Sequence, residues 1–199
     1  ASNSPAEKLN IASIGVGGRA AANLKGLEDE NIVAIVDTDQ NALDQAGGRY
    51  KQARKYRDFR VMLEKETNRV DAVLVSCADH THAPAAAMAM RMKKHVYCEK
   101  PLAHTVYEAR VLANLARENN LATQMGTQIH AGNNYRRVVE LVQSGAIGEI
   151  REVHVWVGVN YSGQQLVTGK SAPKNVDWDL WQGPSPSRPY CETQNSEGA

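Results

Sequence analysis

An apolar run, Leu9-Asn-Ile-Ala-Ser-Ile14, ends in Gly15-Val-Gly17-Gly18-Arg-Ala20, and a helical pattern with Ala20, Leu24 and Leu27 on one face follows it. This G-x-G-x-x-A spacing constrains the chain more than any other feature. The first glycine permits a tight turn out of a buried strand. The second leaves the backbone bare for close approach of a ligand, and a small third residue lets helix and strand pack closely. The helix then starts with unpaired N–H groups and the positive end of its dipole beside the turn, which suits a pyrophosphate. Taken alone, the pattern also describes a plain strand-to-helix turn.

Its context narrows that choice. The second apolar run, Ile32-Val-Ala-Ile-Val36, ends at Asp37, 20 residues after Gly17. A carboxylate there accepts hydrogen bonds from the hydroxyls of an adenosine ribose and repels a 2′-phosphate. Asp37 also fits a helix N-cap before Asp39-Gln40-Asn41. Glycine turn and Asp37 together favour a dinucleotide, NAD rather than NADP. Thr38 adds no cation for a 2′-phosphate, whereas the nearby Arg19 works against the preference.

Further along, short apolar runs alternate with helical patterns as far as Gly126, the signature of a parallel sheet with crossover helices. Asn41 to Glu66 reads as mostly helical, with a short strand near Lys55 and Tyr56. Val70 to Val75 is the next clear strand. Pro84 suits the first turn of the helix after it, and Ala85, Met88, Ala89 and Met92 form a stripe expected in the core rather than on a binding surface. Val96-Tyr-Cys98 is a strand. Thr105-Val-Tyr-Glu108 is a capping box opening a helix with Ala109, Leu112, Ala113 and Ala116 inward, and Ala122 to Met125 adds a sixth strand. The fold class expected is α/β, a Rossmann-type doubly wound parallel sheet over residues 9–127, after a disordered polar lead-in at residues 1–8.

After Gly126 the character changes. Tyr135, Val138, Val139 and Val142 mark a helix stopped by Gly145. Val153, Val155, Val157 and Val159 alternate with polar or aromatic residues, the period of a strand with one packed face. From Tyr161 the chain is rich in Gly, Pro, Ser and Gln without strong periodicity. Residues 128–199 are therefore expected to form an incomplete α+β second domain.

Two further segments carry candidate chemistry. Ser76-Cys-Ala-Asp-His-Thr-His82 leaves the carboxyl end of a parallel strand, where such a domain holds a dinucleotide. Asp79, His80 and His82 are ligand-type residues, but with no fourth ligand in view a metal is the poorer reading, and His82 is expected to border the cofactor cleft. Glu99-Lys100-Pro101 comes straight off the next strand. A charged pair there is costly unless it serves the cleft. Burial and a nearby positive nicotinamide would lower the Lys100 pKa toward neutrality, as a proton shuttle for alcohol oxidation requires. A structural ion pair with Glu99 is the competing reading.

The sum of these motifs resembles the Gfo/Idh/MocA oxidoreductase family. The residues that carry the likeness are Gly15-Val-Gly-Gly-Arg19, Asp37, Asp79-His-Thr-His82, Cys98-Glu-Lys-Pro101, Gly145-Ala-Ile-Gly-Glu149 and Asp177-Trp-Asp-Leu-Trp181-Gln-Gly-Pro184. The resemblance implies an NAD-dependent oxidoreductase that moves a hydride between cofactor and a hydroxyl of a sugar, sugar acid or cyclitol, with Lys100 catalytic. It implies cofactor contacts at Gly15, Gly17, Gly18, Arg19, Asp37, Ser76, Cys77, Ala78, His82, Glu99, Lys100 and Gln128, no metal, and a homo-oligomeric whole protein. The family's aspartate and histidine partners of that lysine lie on a later helix that these 199 residues lack, so the chain alone is expected to be inactive. Cys77-Ala78 replaces the family's usual Thr-Pro, which is expected to loosen the turn. An NAD-dependent glycosidase working through transient oxidation and an inactive nucleotide-binding fragment are the alternatives.

Composition excludes other classes. With 23 basic and 22 acidic residues the formal net charge is +1, which calls for neither nucleic acid nor a membrane surface as partner. No apolar run reaches transmembrane length. Three cysteines make no disulfide framework. Residues 1–8 read either as the start of an expression product or as the mature end left by an export signal, which places the protein in a bacterial-type cytoplasm or periplasm.

Overall fold

The computed structural model describes residues 8–158 and 165–194, so Val159 of the valine alternation and residues 1–7 of the polar lead-in lie outside the described residues. Two compact units emerge, one of Ala1–Gly126 with Gly169–Tyr190, the other of Thr127–Thr168 with Cys191–Ala199. The expected division at residue 127 differs in one respect: the segment from Gly169 to Tyr190 packs with the first unit.

The first unit holds strands β1 (Asn10–Ile14), β2 (Asn31–Val36), β3 (Arg54–Tyr56), β4 (Ala72–Val75), β5 (His95–Glu99) and β6 (Thr123–Gly126). All pair in parallel, in the order β3-β2-β1-β4-β5-β6. Between them run helices α1 (Gly18–Lys25), α2 (Gln40–Arg49), α3 (Phe59–Glu66), α4 (His82–Arg91) and α5 (Val106–Glu118). The central strands are apolar on both sides because both faces are covered. Ala12, Ile14, Ala34, Val36, Val73, Val75, Val96 and Cys98 face a core shared with Met62 and Leu63 of α3, the alanines of α4 and Leu112 of α5. Ile11, Ile35 and Leu74, one residue out of step, face Leu24 of α1 and Leu43 of α2. Each such aliphatic side chain contributes about 1.5–3 kcal/mol on burial.

Strand order reverses direction between β1 and β4, which leaves a crevice at their carboxyl ends. The local signals act as expected in several places. Thr105 and Glu108 form the reciprocal capping box of α5, and Pro84 sits in the first turn of α4. Two details differ. Ala113 is exposed while Leu115 is half-buried, so the inward seam of α5 runs through Leu112 and Leu115. In α4 the deeply buried methionine is Met90, with Met88 and Met92 only partly buried, because this helix touches α3, α5, β4 and β5 together.

Glu66 secures the edge of the sheet. It is fully buried at the end of α3 and accepts hydrogen bonds from Tyr56 Oη (2.5 Å), Arg54 (3.0 Å) and Arg69 (2.8 Å). Burial alone would raise its carboxyl pKa, but the Tyr56 and Arg54 hydrogen bonds and the two guanidinium charges outweigh that and hold it below its ordinary value. This anchorage fixes β3 and therefore the turn at Arg57 and Asp58 that leads into α3.

In the second unit, helix α6 (Asn133–Gln143) ends at Ser144, followed by Gly145 at φ +70°, the left-handed position a C-terminal glycine serves. Strands β7 (Gln165–Thr168) and β8 (Cys191–Gln194) form an antiparallel pair. The sequence carried no periodic signal for this hairpin. Conversely, residues 151–158 form no strand, and Val153, Val155 and Val157 are 72–90% exposed. Alternation describes a face, but a strand also needs a partner for its N–H and C=O groups. Among the described residues no helix is long and apolar enough to cross a membrane.

Candidate cofactor site

The turn after β1 is held from both sides. Gly15 N–H donates to Val36 O (2.8 Å) and the buried Ser13 hydroxyl to Gly15 O (2.7 Å). Gly15 has φ +92°, and a Cβ placed on it would lie 2.5 Å from Ser76 O. No side chain fits, because β1 and β4 bring the two turns into contact where the sheet splits. Gly17 precedes α1 in an extended conformation, with no side chain capping the helix, so the first amides of α1 keep free donors for an anion. Gly18 and Arg19 are exposed in the first turn of that helix.

Asp37 closes β2. Its Oδ2 accepts from Val16 N–H (3.0 Å) and its Oδ1 from Asp39 N–H (2.9 Å). These bonds orient the carboxylate and tie it to the glycine turn, and each oxygen retains a lone pair for a hydroxyl. The cap of α2 is Asp39, not Asp37, with Asn41 N–H donating at 2.8 Å. The alternative role for Asp37 thus belongs to its neighbour.

Between these residues lies a cavity of about 460 Å³. Gly15, Gly17, Asp37, Ser76, Cys77 and Ala78 line it, as do Arg57 to Arg60 and Thr81. Burial pushes the Cys77 thiol up to about 12, so it faces the cavity as a neutral, weakly polar group. Ala78 has φ −64° and ψ 142°. Proline would impose that same φ, so the Ala78 backbone is one that proline could also adopt.

Four expected contacts are placed differently. His82 is 1% exposed and does not line the cavity; its Nδ1 lies 2.7 Å from Pro101 O and its Nε2 3.0 Å from Cys77 O. It joins two loops instead of facing a ligand. Glu99 is buried, with Oε1 accepting from Asn23 Nδ2 (2.8 Å) and Oε2 lacking any hydrogen-bond partner among the described residues. Lys100, by contrast, is exposed and forms no ion pair with Glu99 among the described residues. Neither burial nor ion pairing describes it here, because the strand ends at Glu99 and the next side chain leaves the sheet. Gln128 belongs to the second unit and is exposed.

The sequence reading missed Asn23, which donates to Ser76 Oγ (3.1 Å) as well as to Glu99. It named the segment from Asp177 to Pro184, but as part of the second domain and not as part of the site. Asp179, Leu180, Trp181, Gly183 and Pro184 line the cavity. The chain there is bonded to the β2–α2 loop through Asp177 N–H to Thr38 O (2.9 Å) and Gln40 N–H to Asn175 O (2.8 Å). Helix α7 (Trp178–Gln182) is capped by Asp177.

A six-stranded parallel sheet with a glycine turn, a bare helix N-terminus and a carboxylate at the end of β2 defines a dinucleotide-binding Rossmann domain. The chain belongs to the Gfo/Idh/MocA oxidoreductase family with the NAD-binding Rossmann fold, whose model matches residues 9–127. It is 27% identical over 143 residues to a myo-inositol 2-dehydrogenase of Thermotoga maritima, covering 71% of this chain and 42% of that protein. A glycosyl hydrolase family 109 protein of Shewanella pealeana is 28% identical over 156 residues, covering 72% and 34%. The crystal structure of myo-inositol 2-dehydrogenase from Lactobacillus plantarum superposes with a TM-score of 0.67 at 26% identity, covering 72% of this chain and 43% of that one. The chain spans less than half the length of these relatives.

Proposed function

We propose that the whole protein is an NAD-dependent dehydrogenase acting on a hydroxyl of a sugar, sugar acid or cyclitol. The observation that carries this reading is the cavity between the glycine turn and Asp37, at the carboxyl ends of β1, β2 and β4. The inositol dehydrogenases among its relatives support the substrate class. When bound, NAD supplies the hydride acceptor. The free amides after Gly17 hold the pyrophosphate, and the oriented Asp37 carboxylate accepts the adenosine ribose hydroxyls. Lys100 is the residue that would take the proton of the substrate hydroxyl, the acid–base half of that oxidation. Gly18, Arg19, Ser76, Cys77 and Ala78 complete the cofactor contacts in this reading, while Glu99 positions Asn23 and the ends of β4 and β5 behind them. The exposed valines of the second unit support a homo-oligomeric assembly that would cover them.

Calorimetric titration with NAD and NADP tests the cofactor assignment. NAD is expected to bind more tightly, and Asp37→Ser to narrow the gap by about 1–3 kcal/mol, the scale of a hydrogen bond to a charged group. Equal affinities in the unaltered protein would remove Asp37 from the site.

The Shewanella relative favours a second reading, glycoside cleavage through transient oxidation. Turnover of a sugar or cyclitol by the whole protein decides between them. A dehydrogenase accumulates NADH, whereas a glycosidase regenerates NAD in each cycle and leaves none.

A further inference from the structure

We propose that the segment from Asn175 to Pro184, outside the nucleotide-binding region proper, forms the wall that receives the adenine, with Trp181 as its stacking surface. This rests on the dinucleotide reading and extends it to residues in a different part of the chain. The segment bridges the two loops that flank the adenosine end of the cavity. On one side Asn175 Nδ2 donates to Asp39 Oδ1 (2.8 Å), and Val176 forms an antiparallel bridge with Asp39. Arg57 Nη2 reaches both Thr38 O (2.5 Å) and Asn175 O (3.4 Å), fastening the segment to the end of β2 beside Asp37. On the other side His80 Nε2 lies 2.7 Å from Trp181 O, and the two rings meet edge to face at 5.0 Å. Gly183, at φ +54°, lies so close to Thr81 that a Cβ would stand 3.0 Å from its hydroxyl.

These anchors hold a tryptophan at the cavity with one face already used. Trp178 stacks on Trp181 at 4.8 Å and 12°, and Trp178 is itself fixed by its Nε1–H to Arg188 O (2.9 Å). Trp181 nevertheless remains 41% exposed while lining the cavity. A large aromatic side chain stacked on Trp178, braced by His80 and still partly exposed at the cavity is what a planar purine stacks on. Asp37 marks the adenosine end with an acceptor, and Arg57 lines the cavity there with a buried Nε–H that has no hydrogen-bond partner among the described residues. The ligand class for this wall is therefore the adenosine half of the cofactor.

The experiment titrates the full chain with AMP, ADP-ribose and NAD, which share adenosine, following heat and tryptophan fluorescence. Trp181→Ala is expected to weaken all three about tenfold, as loss of a base–aromatic stack does, and Trp181→Phe to recover most of that loss. In the unaltered protein AMP should quench tryptophan fluorescence, and this reading needs no variant to fold. Unchanged AMP affinity in Trp181→Ala, or a loss confined to NAD, would overturn the assignment while leaving the cofactor reading intact. Failure of the unaltered protein to bind any of the three would instead overturn the cofactor reading and this inference with it.

Discussion

Asn23 Nδ2 donates to Glu99 Oε1 at 2.8 Å, so a side chain on α1 holds the carboxylate that ends β5. The same amide reaches Ser76 Oγ at 3.1 Å. One residue thereby ties the helix that follows the glycine turn to the ends of both β4 and β5. Removing it leaves the buried Glu99 with neither oxygen partnered, since Oε2 already has none. Asn23→Ala is expected to cost about 1–3 kcal/mol of unfolding free energy, the desolvation cost of a stranded polar group. Urea unfolding checks this, and a cost near zero would show Glu99 to be hydrated.

Asn23→Asp tests the same contact by charge. Two facing carboxylates raise each other's pKa. A pKa raised in the folded state gives stability that is present at low pH and lost as pH rises. The variant's deficit should therefore shrink as pH falls through the carboxylate range, in melting curves recorded from pH 7 to pH 4. A pH-independent deficit would rule out contact between the two groups.

Glu66 has the opposite sign. Its carboxyl is held below the ordinary 4.5, so its contribution is present above that value and is lost as pH falls through the lowered folded one. Glu66→Gln removes charge from two arginine contacts and should destabilise at pH 7 by about 1–3 kcal/mol. The difference from the unaltered protein should fade toward pH 3, which acid unfolding of the two proteins side by side would reveal.

Lys100 is exposed on the first residue after β5. In the whole protein, Lys100→Met should leave NAD affinity within about twofold and cut turnover by about 10²–10⁴, the range for a positioned acid–base group. Steady-state NADH formation with calorimetry on the same preparations separates the two effects. Near-normal turnover would remove Lys100 from the chemistry.

Ala78 already has the φ that proline imposes, and its amide makes no hydrogen bond among the described residues. Ala78→Pro should therefore stabilise by about 0.4–1 kcal/mol through the unfolded chain. A lower midpoint in urea would show that the preceding Cys77 cannot accept the restriction proline places on it.

Much of the first unit was legible because its signals are local. Apolar runs of five or six residues, a glycine turn, a capping box and Pro84 each depend on neighbours within one or two turns of chain. They marked all six parallel strands to within a residue or two, and they located Gly15, Gly17 and Asp37 around the cavity. Local signals also misled where a partner decides the outcome. The alternation of Val153, Val155 and Val157 reads as a strand, yet residues 151–158 form none.

By itself, then, the sequence determined the doubly wound sheet, the glycine turn that borders the cavity and the carboxylate at the end of β2, since turn geometry and periodic burial are written in adjacent residues. Only the tertiary structure decided that His82 joins two loops, that Asn23 holds Glu99 and that Trp181 stands at the cavity. Those contacts span 19, 76 and 101 residues of chain. The partners of such hydrogen bonds are chosen by where the sheet and its loops bring them, and no local pattern in the sequence records that choice.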